Sequence, residues 1–249
     1  MISGVYIKLS RVSLSLILIP GLFGFVDVTW FNLEAILPIL IATSLMASIP
    51  FSFLLFLSAI KKHNIAIDEL SRKATMIALM SIIIAQVIGI IPSKYIQYLY
   101  WLSVMSFCMV FCMSKNWFNL ASLLGKKFKL NCSGYAGLYS LLYGGVGLEW
   151  FKTNKEQENV SIFLSFFVTL PAVIGFIFPA LPVPLLLEEP ELSVWMLGYV
   201  CWPLVLVFSV FSLSGYWLVR HHENQTDAAW LNYILLIFIL AAWLRWIWA

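Results

Sequence analysis

The chain has 249 residues, of which 62% are hydrophobic and only 11% are charged, and its formal net charge is +3. Soluble domains carry about 25% charged residues, so this composition argues against an ordinary soluble fold. The small and scattered positive charge also argues against nucleic acid as a partner, because nucleic-acid-binding proteins concentrate basic residues on one face.

The apolar runs predict an all-α fold, a polytopic bundle of transmembrane helices that forms a single integral membrane domain over residues 1–249. About 20 apolar residues carry a helix across a bilayer, and runs that are apolar on every side match helices better than barrel strands. We predict about seven spans, within a range of six to eight. They lie near residues 12–31, 35–60, 75–93, 95–114, 159–180, 192–219 and 228–248.

Basic residues mark alternate connections between these runs. Lys8 and Arg11 precede the first run, and Lys61, Lys62 and Arg72 lie between the second and third. Short loops rich in lysine and arginine stay in the cytoplasm. We therefore predict a multi-pass protein of a bacterial inner membrane, with its N-terminus in the cytoplasm.

One segment, residues 115–158, is predicted to be a basic, glycine-rich connection with an interfacial or re-entrant helix. Within it, residues 117–129 combine aromatic and leucine side chains on one helical face with lysines that follow, which suits the headgroup boundary of a membrane. Residues 130–150 are apolar but rich in glycine. They could also form an eighth span, which would reverse the orientation of everything after them.

Two polar residues lie inside predicted spans and are candidates for a functional role. Asp27 is near the outer end of the first span and Gln86 is inside the third. Polar and ionisable groups are costly in hydrocarbon and often functional. For Gln86 the favoured interpretation is helix packing, since neutral amides form hydrogen bonds between helices.

The sequence predicts no catalytic residue, no metal site and no cofactor. The four cysteines form no CxxC pair, and the neighbouring His221 and His222 point apart instead of sharing one helical face as metal-binding pairs do. An enzyme is therefore not the preferred interpretation. A lipid-modifying membrane enzyme that uses Asp27 or the loop 221–223 is kept as an alternative.

Two stretches of sequence resemble a known family. Leu124-Gly125-Lys126-Lys127-Phe128 precedes Gly134-Tyr135-Ala136, and Leu213-Ser214-Gly215-Tyr216-Trp217 follows farther on. In these stretches the chain resembles Yip1-domain membrane proteins, in which a short basic Gly-Lys loop leads into a helix that bears Gly-Tyr-Ala. The chain departs from the family in having more predicted spans and no proline after Gly-Tyr-Ala. The resemblance implies that residues 130–150 are a true span and that the protein recruits partners without catalysing a reaction.

The preferred function is a non-catalytic subunit or scaffold of a membrane complex. Its expected partners are the lipid bilayer and other membrane-protein subunits or a second copy of the chain. Small residues let helices approach closely, and the candidate packing positions are Gly134, Gly137, Gly144 and Gly145. The alternative is the permease subunit of an ABC-type transporter for an apolar or lipidic substrate, in which the loop pattern AIDELSRK, residues 66–73, would contact a separate ATPase.

Overall fold

The computed structural model describes six stretches of the chain and a few single positions. The stretches are residues 36–62, 67–92, 94–98, 100–102, 155–179 and 195–219, and the single positions are 19, 237, 240, 241 and 244. Four long helices and one short hairpin lie in these ranges.

Helix α1 covers Ile36–Lys62 and continues through Pro50. Serines in this helix satisfy their own hydroxyl groups locally. Ser44 donates to the carbonyl oxygen of Ile41 at 2.9 Å, and Ser48 donates to that of Leu45 at 2.7 Å. Such local bonds satisfy the hydroxyl groups of these serines without water, so the serines can lie in apolar surroundings.

Helices α2 (Ile67–Ile90) and α3 (Lys155–Ile177) end for the same reason. Pro92 follows the end of α2 by two residues and Pro179 does the same for α3. A proline disfavours helical backbone in the residue before it, which places a boundary there. Residues 94–98 and 100–102, which follow α2, are helical again.

A small antiparallel hairpin precedes the last long helix. Strand β1 (Met196–Leu197) pairs with β2 (Val200–Cys201), and Gly198 in the two-residue loop has a φ of 60°. A left-handed residue in this position suits the twist of a tight hairpin and favours glycine. Helix α4, Trp202–Val219, begins directly after β2.

Helix α3 lies between α1 and α2, and α4 packs on the other side of α1. Phe56 of α1 stacks on Phe166 of α3 with ring centroids 5.1 Å apart, whereas Thr43 near the start of α1 contacts the hairpin. Helices α1 and α3 are therefore antiparallel. The ends of α2 and α3 lie together, so these two helices run in parallel.

The prediction of a bundle of about seven transmembrane spans is wrong. Within the ranges that the structure describes, no helix is both long and apolar enough to cross a membrane. The predicted span 192–219 is interrupted by the hairpin, which leaves an 18-residue helix about 27 Å long, shorter than a hydrocarbon core of about 30 Å. The predicted loop 66–73 and span 75–93 instead belong largely to one helix, α2, whose first two turns contain four charged residues.

The fold is also not purely helical, because the hairpin is present. Where the structure describes them, the apolar runs are mostly helical, but the first turns of α2 and α3 are polar, so the apolar part of each is shorter than the helix. The predicted spans 12–31 and 228–248 lie almost wholly outside the described residues, as does the connection 115–158 up to residue 154.

Candidate functional site

The C-terminal ends of α2 and α3 meet the hairpin in a compact cluster that we call the junction. It is formed by Gln86, Gly89, Gly175, Phe176 and Tyr199. The last four carbonyl groups of a helix have no partner within that helix and must find donors elsewhere. At the junction, side chains and backbone from outside each helix supply these donors.

Gln86 connects α2 to the end of α3. Its Nε2 atom donates to the carbonyl oxygen of Gly175 at 2.9 Å and to that of Phe178 at 2.6 Å. Because both acceptors are carbonyl oxygens, the nitrogen of the side-chain amide has to face them and the oxygen cannot. One amide group thus satisfies two carbonyls at the end of a helix that lies about 90 residues away in sequence.

Tyr199, in the hairpin loop, makes the corresponding contacts with both helices. Its hydroxyl donates to the carbonyl oxygen of Gly89 at 3.1 Å, and its backbone N–H donates to that of Phe176 at 3.1 Å. Its ring also packs edge-on against the ring of Phe176, with centroids 6.2 Å apart. Burial raises the pKa of the Tyr199 hydroxyl, so it stays protonated and can donate.

Glycines allow these elements to approach closely. A Cβ atom at Gly175 would lie 2.8 Å from Cβ of Ala85 and 3.0 Å from the carbonyl oxygen of Ile82. A Cβ atom at Gly198 would overlap the carbonyl oxygen of Phe176. The backbone of α3 is therefore in direct contact with the hairpin and lies close to α2 at Ala85, whereas the hairpin contacts α2 through the Tyr199 side chain.

The hairpin is also attached to α1. The backbone N–H of Cys201 donates to Oγ1 of Thr43 at 3.1 Å. The Cys201 side chain is buried, and burial raises the pKa of its thiol, an effect that a hydrogen bond from the backbone of Leu204 partly offsets. A buried neutral thiol is a poor nucleophile, so Cys201 acts as a packing residue.

The junction has the chemistry of a structural connection. Of the side chains that the structure describes, Lys94 alone is charged at neutral pH, and none of the His, Cys, Asp or Glu residues among them group in a way that could hold a metal ion. Amide, hydroxyl and backbone groups of this kind can fix the relative positions of helices. Without a neighbouring group that activates them, these groups act neither as a nucleophile nor as a general base.

Of the residues singled out in the sequence, Gln86 is placed at the junction. Asp27, the loop 221–223 and the four glycines Gly134, Gly137, Gly144 and Gly145 lie outside the described residues. Sequence reasoning missed Tyr199 and Gly175. The only signal near Tyr199 was Gly198, because a glycine can supply the positive φ that a two-residue hairpin loop requires. No local pattern marks Gly175 as the contact of Ala85.

Comparison with family models, with curated proteins and with solved structures finds no match to the chain. The likeness to Yip1-domain proteins therefore stays a prediction. Of its three stretches, residues 213–217 lie in α4, whereas residues 124–128 and 134–136 are outside the described part of the chain.

Proposed function

We propose that this chain is a non-catalytic, membrane-associated subunit or scaffold that works through contacts of its apolar helix faces. The observation that carries the proposal is an apolar helix, α2, of which the other described parts of the chain cover only one face. The other face needs lipid acyl chains or the helices of a partner protein to remove it from water.

The uncovered face of α2 is continuous along the helix. Its side chains lie about one helical turn apart, with the neighbours Leu79 and Met80 in the same turn, and all are more than a third exposed: Met76, Leu79, Met80, Ile83, Val87 and Ile90. This spacing places them in one stripe. A contiguous apolar stripe of this kind is rare on soluble monomers and marks an interaction surface.

The opposite face of α2 is apolar as well but fully covered. Ile77 and Ile88 are 0% exposed, and Ala85 is 1% exposed against α3. A helix that is apolar on all sides is stable only when all of its sides are shielded from water. The intramolecular packing shields one side, which is why the proposal assigns the other to lipid or to a partner.

Helices α1 and α4 have similar uncovered surfaces. The large exposed apolar residues described in these helices are Phe53, Leu54, Leu57, Ile60, Trp202, Leu206, Val207, Val210, Phe211 and Trp217. Together with α2 they surround a core in which Thr43, Gln86 and Tyr199 form hydrogen bonds with other groups of the protein. Such a unit offers other apolar molecules a rigid surface, which suits a scaffold better than a reaction site.

The first experiment separates membranes from the soluble fraction of cells that express the full chain. We expect the chain to remain with the membranes through washes in high salt and to be released by detergent. Recovery in the supernatant without detergent would overturn the proposal.

A second experiment tests whether the stripe on α2 contacts a partner. In detergent extracts, Ile83→Lys should reduce the size of the native complex, while Ile83→Leu keeps it, because only the first variant places a charge on the apolar surface. Circular dichroism of both variants checks that the helices are intact. A complex of unchanged size in Ile83→Lys would exclude this stripe as the contact.

A further inference from the structure

The exposed stripe on α2 is nearly symmetric about its central residue, Ile83. Met76 and Ile90 lie seven residues before and after Ile83, and Leu79 and Val87 lie four residues before and after it. The members of each pair are also similarly exposed, 58% and 54% for the outer pair and 58% and 41% for the inner pair. The order of large apolar side chains is therefore almost the same in both directions along the helix.

This symmetry bears on the kind of partner that the stripe fits. An interface between two copies related by a twofold axis uses the same surface on both copies, so that surface has to be complementary to itself. When two α2 helices lie antiparallel with Ile83 opposite Ile83 of the second copy, Met76 lies opposite Ile90 and Leu79 lies opposite Val87. Neither lipid nor an unrelated helix requires such a spacing.

The charged residues of α2 lie outside the stripe. The helix contains no charged residue from Ala74 to Ile90, whereas its first two turns contain four. A second copy can therefore cover the stripe without burying a charge. A parallel pair would place the identical charged turns of the two copies side by side and align the helix dipoles, whereas an antiparallel pair separates these turns and opposes the dipoles.

The stripe is also large enough for a specific contact. On average about half of each of its six large apolar side chains is exposed. Covering them with a second copy removes roughly 600 Å² of surface from each chain, or roughly 1,200 Å² in total, which lies at the lower end of the range for specific protein interfaces.

We propose that the stripe on α2 is a homodimer contact, in which two copies of the chain pair antiparallel with Ile83 at the centre. The inference rests on the proposed function, in which this stripe contacts lipid or a partner protein, and adds that the partner is a second copy and which residues meet. The contact requires no helix to cross a membrane, because the two copies shield each other's apolar side chains from water.

Cross-linking in cells tests the pairing in the full chain. Two copies with different affinity tags are expressed together, one with Leu79→Cys and the other with Val87→Cys, after the cysteines outside the described residues are replaced by serine. Cys201 is kept because it is buried. A short, membrane-permeable bis-maleimide is added before lysis, so that detergent cannot compete for the stripe, and the product that carries both tags is measured.

In the antiparallel pair, positions 79 and 87 of opposite copies meet, whereas the two positions 79 lie about 12 Å apart along the helix axis. We therefore expect at least about threefold more product from Leu79→Cys with Val87→Cys than from two copies of Leu79→Cys. Ile83→Cys should link to itself at the centre of the contact. Ser81→Cys, a change of similar size on the buried face, is the matched control and should give no product.

More product from two copies of Leu79→Cys than from the mixed pair would overturn the antiparallel arrangement. If no position in the stripe links two copies but Ile83→Lys still reduces the size of the native complex, the second copy is excluded and the proposed scaffold function stands. Absence of both effects would overturn both proposals. Met76→Cys with Ile90→Cys replaces the inner pair if circular dichroism shows that those variants do not fold.

Discussion

The two faces of α2 carry similar apolar side chains but lie in different surroundings. On one face, Ile84 and Ala85 are buried against α3, with Ala85 next to the backbone of Gly175. On the other, Ile83 and Leu79 are more than half exposed. Hydropathy is nearly the same on both faces, so it cannot tell which one the chain itself covers.

What differs between the faces is the size of the residues and their hydrogen bonding. The buried face contains small residues such as Ala74, Ser81 and Ala85, and Gln86 at its edge bonds to α3. The exposed stripe contains larger apolar side chains, such as Met76, Leu79 and Ile83. Small residues allow backbones to approach, and a directional bond fixes the register, so size and polarity identify the intramolecular face where hydropathy does not.

The largest expected effect is a loss of stability when a buried isoleucine is truncated to alanine, compared with the same truncation at the exposed position before it. Ile84, 5% exposed, loses its packing in Ile84→Ala, which should lower the free energy of unfolding by about 2–5 kcal/mol. Ile83, 54% exposed, should lose less than about 1 kcal/mol in Ile83→Ala. Denaturant titration in detergent, followed by circular dichroism, measures both. Equal losses at the two positions would show that the faces are not distinct.

Part of this arrangement could be predicted from the sequence. The run 35–60 corresponds to α1, Ile36–Lys62, because a long stretch of helix-favouring apolar residues needs no tertiary information to be recognised. The break in the run 192–219 could not be seen from hydropathy, since the hairpin is as apolar as the helix beside it. It depends on Gly198 and on bonds to Phe176 and Thr43, which are distant in sequence.

The contacts at the junction could likewise be predicted only in part from the sequence. Gln86 could be selected in advance because a lone amide in an apolar run is unusual. Its partners could not, since Gly175 and Phe178 are about 90 residues away and contribute only backbone carbonyls, which every residue has. A sequence shows which side chain needs a partner, whereas the packing of α2 on α3 decides which carbonyls meet it.

A second prediction tests the close contact between α3 and the buried face of α2 at Gly175. Gly175→Ala places a Cβ atom against Ala85 and the backbone of Ile82, and should reduce the free energy of unfolding by about 1–3 kcal/mol. Gly89→Ala is the matched control, because its Cβ would meet the Tyr199 ring at 3.1 Å, which can shift more readily than backbone. The comparison uses thermal unfolding of both variants. A smaller loss at 175 than at 89 would contradict the tight contact between α2 and α3.

A third prediction concerns the hydrogen bonds at the edge of that face. Gln86→Leu keeps an apolar side chain of similar length but leaves the carbonyls of Gly175 and Phe178 without this donor, which should cost about 1–2 kcal/mol. Gln97→Leu makes the same change at a half-exposed position outside the junction and should be close to neutral. Denaturant titration distinguishes them. If both variants are equally stable, the amide of Gln86 does not hold the two helices together.

The smallest effect is expected at Tyr199, and it has a defined pH dependence. Tyr199→Phe removes the bond to Gly89 and should cost about 0.5–1.5 kcal/mol at neutral pH, whereas Tyr95→Phe, at an exposed position, should cost less.

Burial raises the pKa of Tyr199 above its ordinary value of 10.0, so the unfolded chain releases this proton at a lower pH than the folded chain does. The free energy of unfolding of the parent therefore falls as the pH rises above about 10. The Tyr199→Phe variant lacks the part of this fall that comes from ionisation of Tyr199. The difference in free energy of unfolding between the two proteins should narrow with rising pH in that range, and a difference that stays constant or widens would show that the hydroxyl is not buried at the junction.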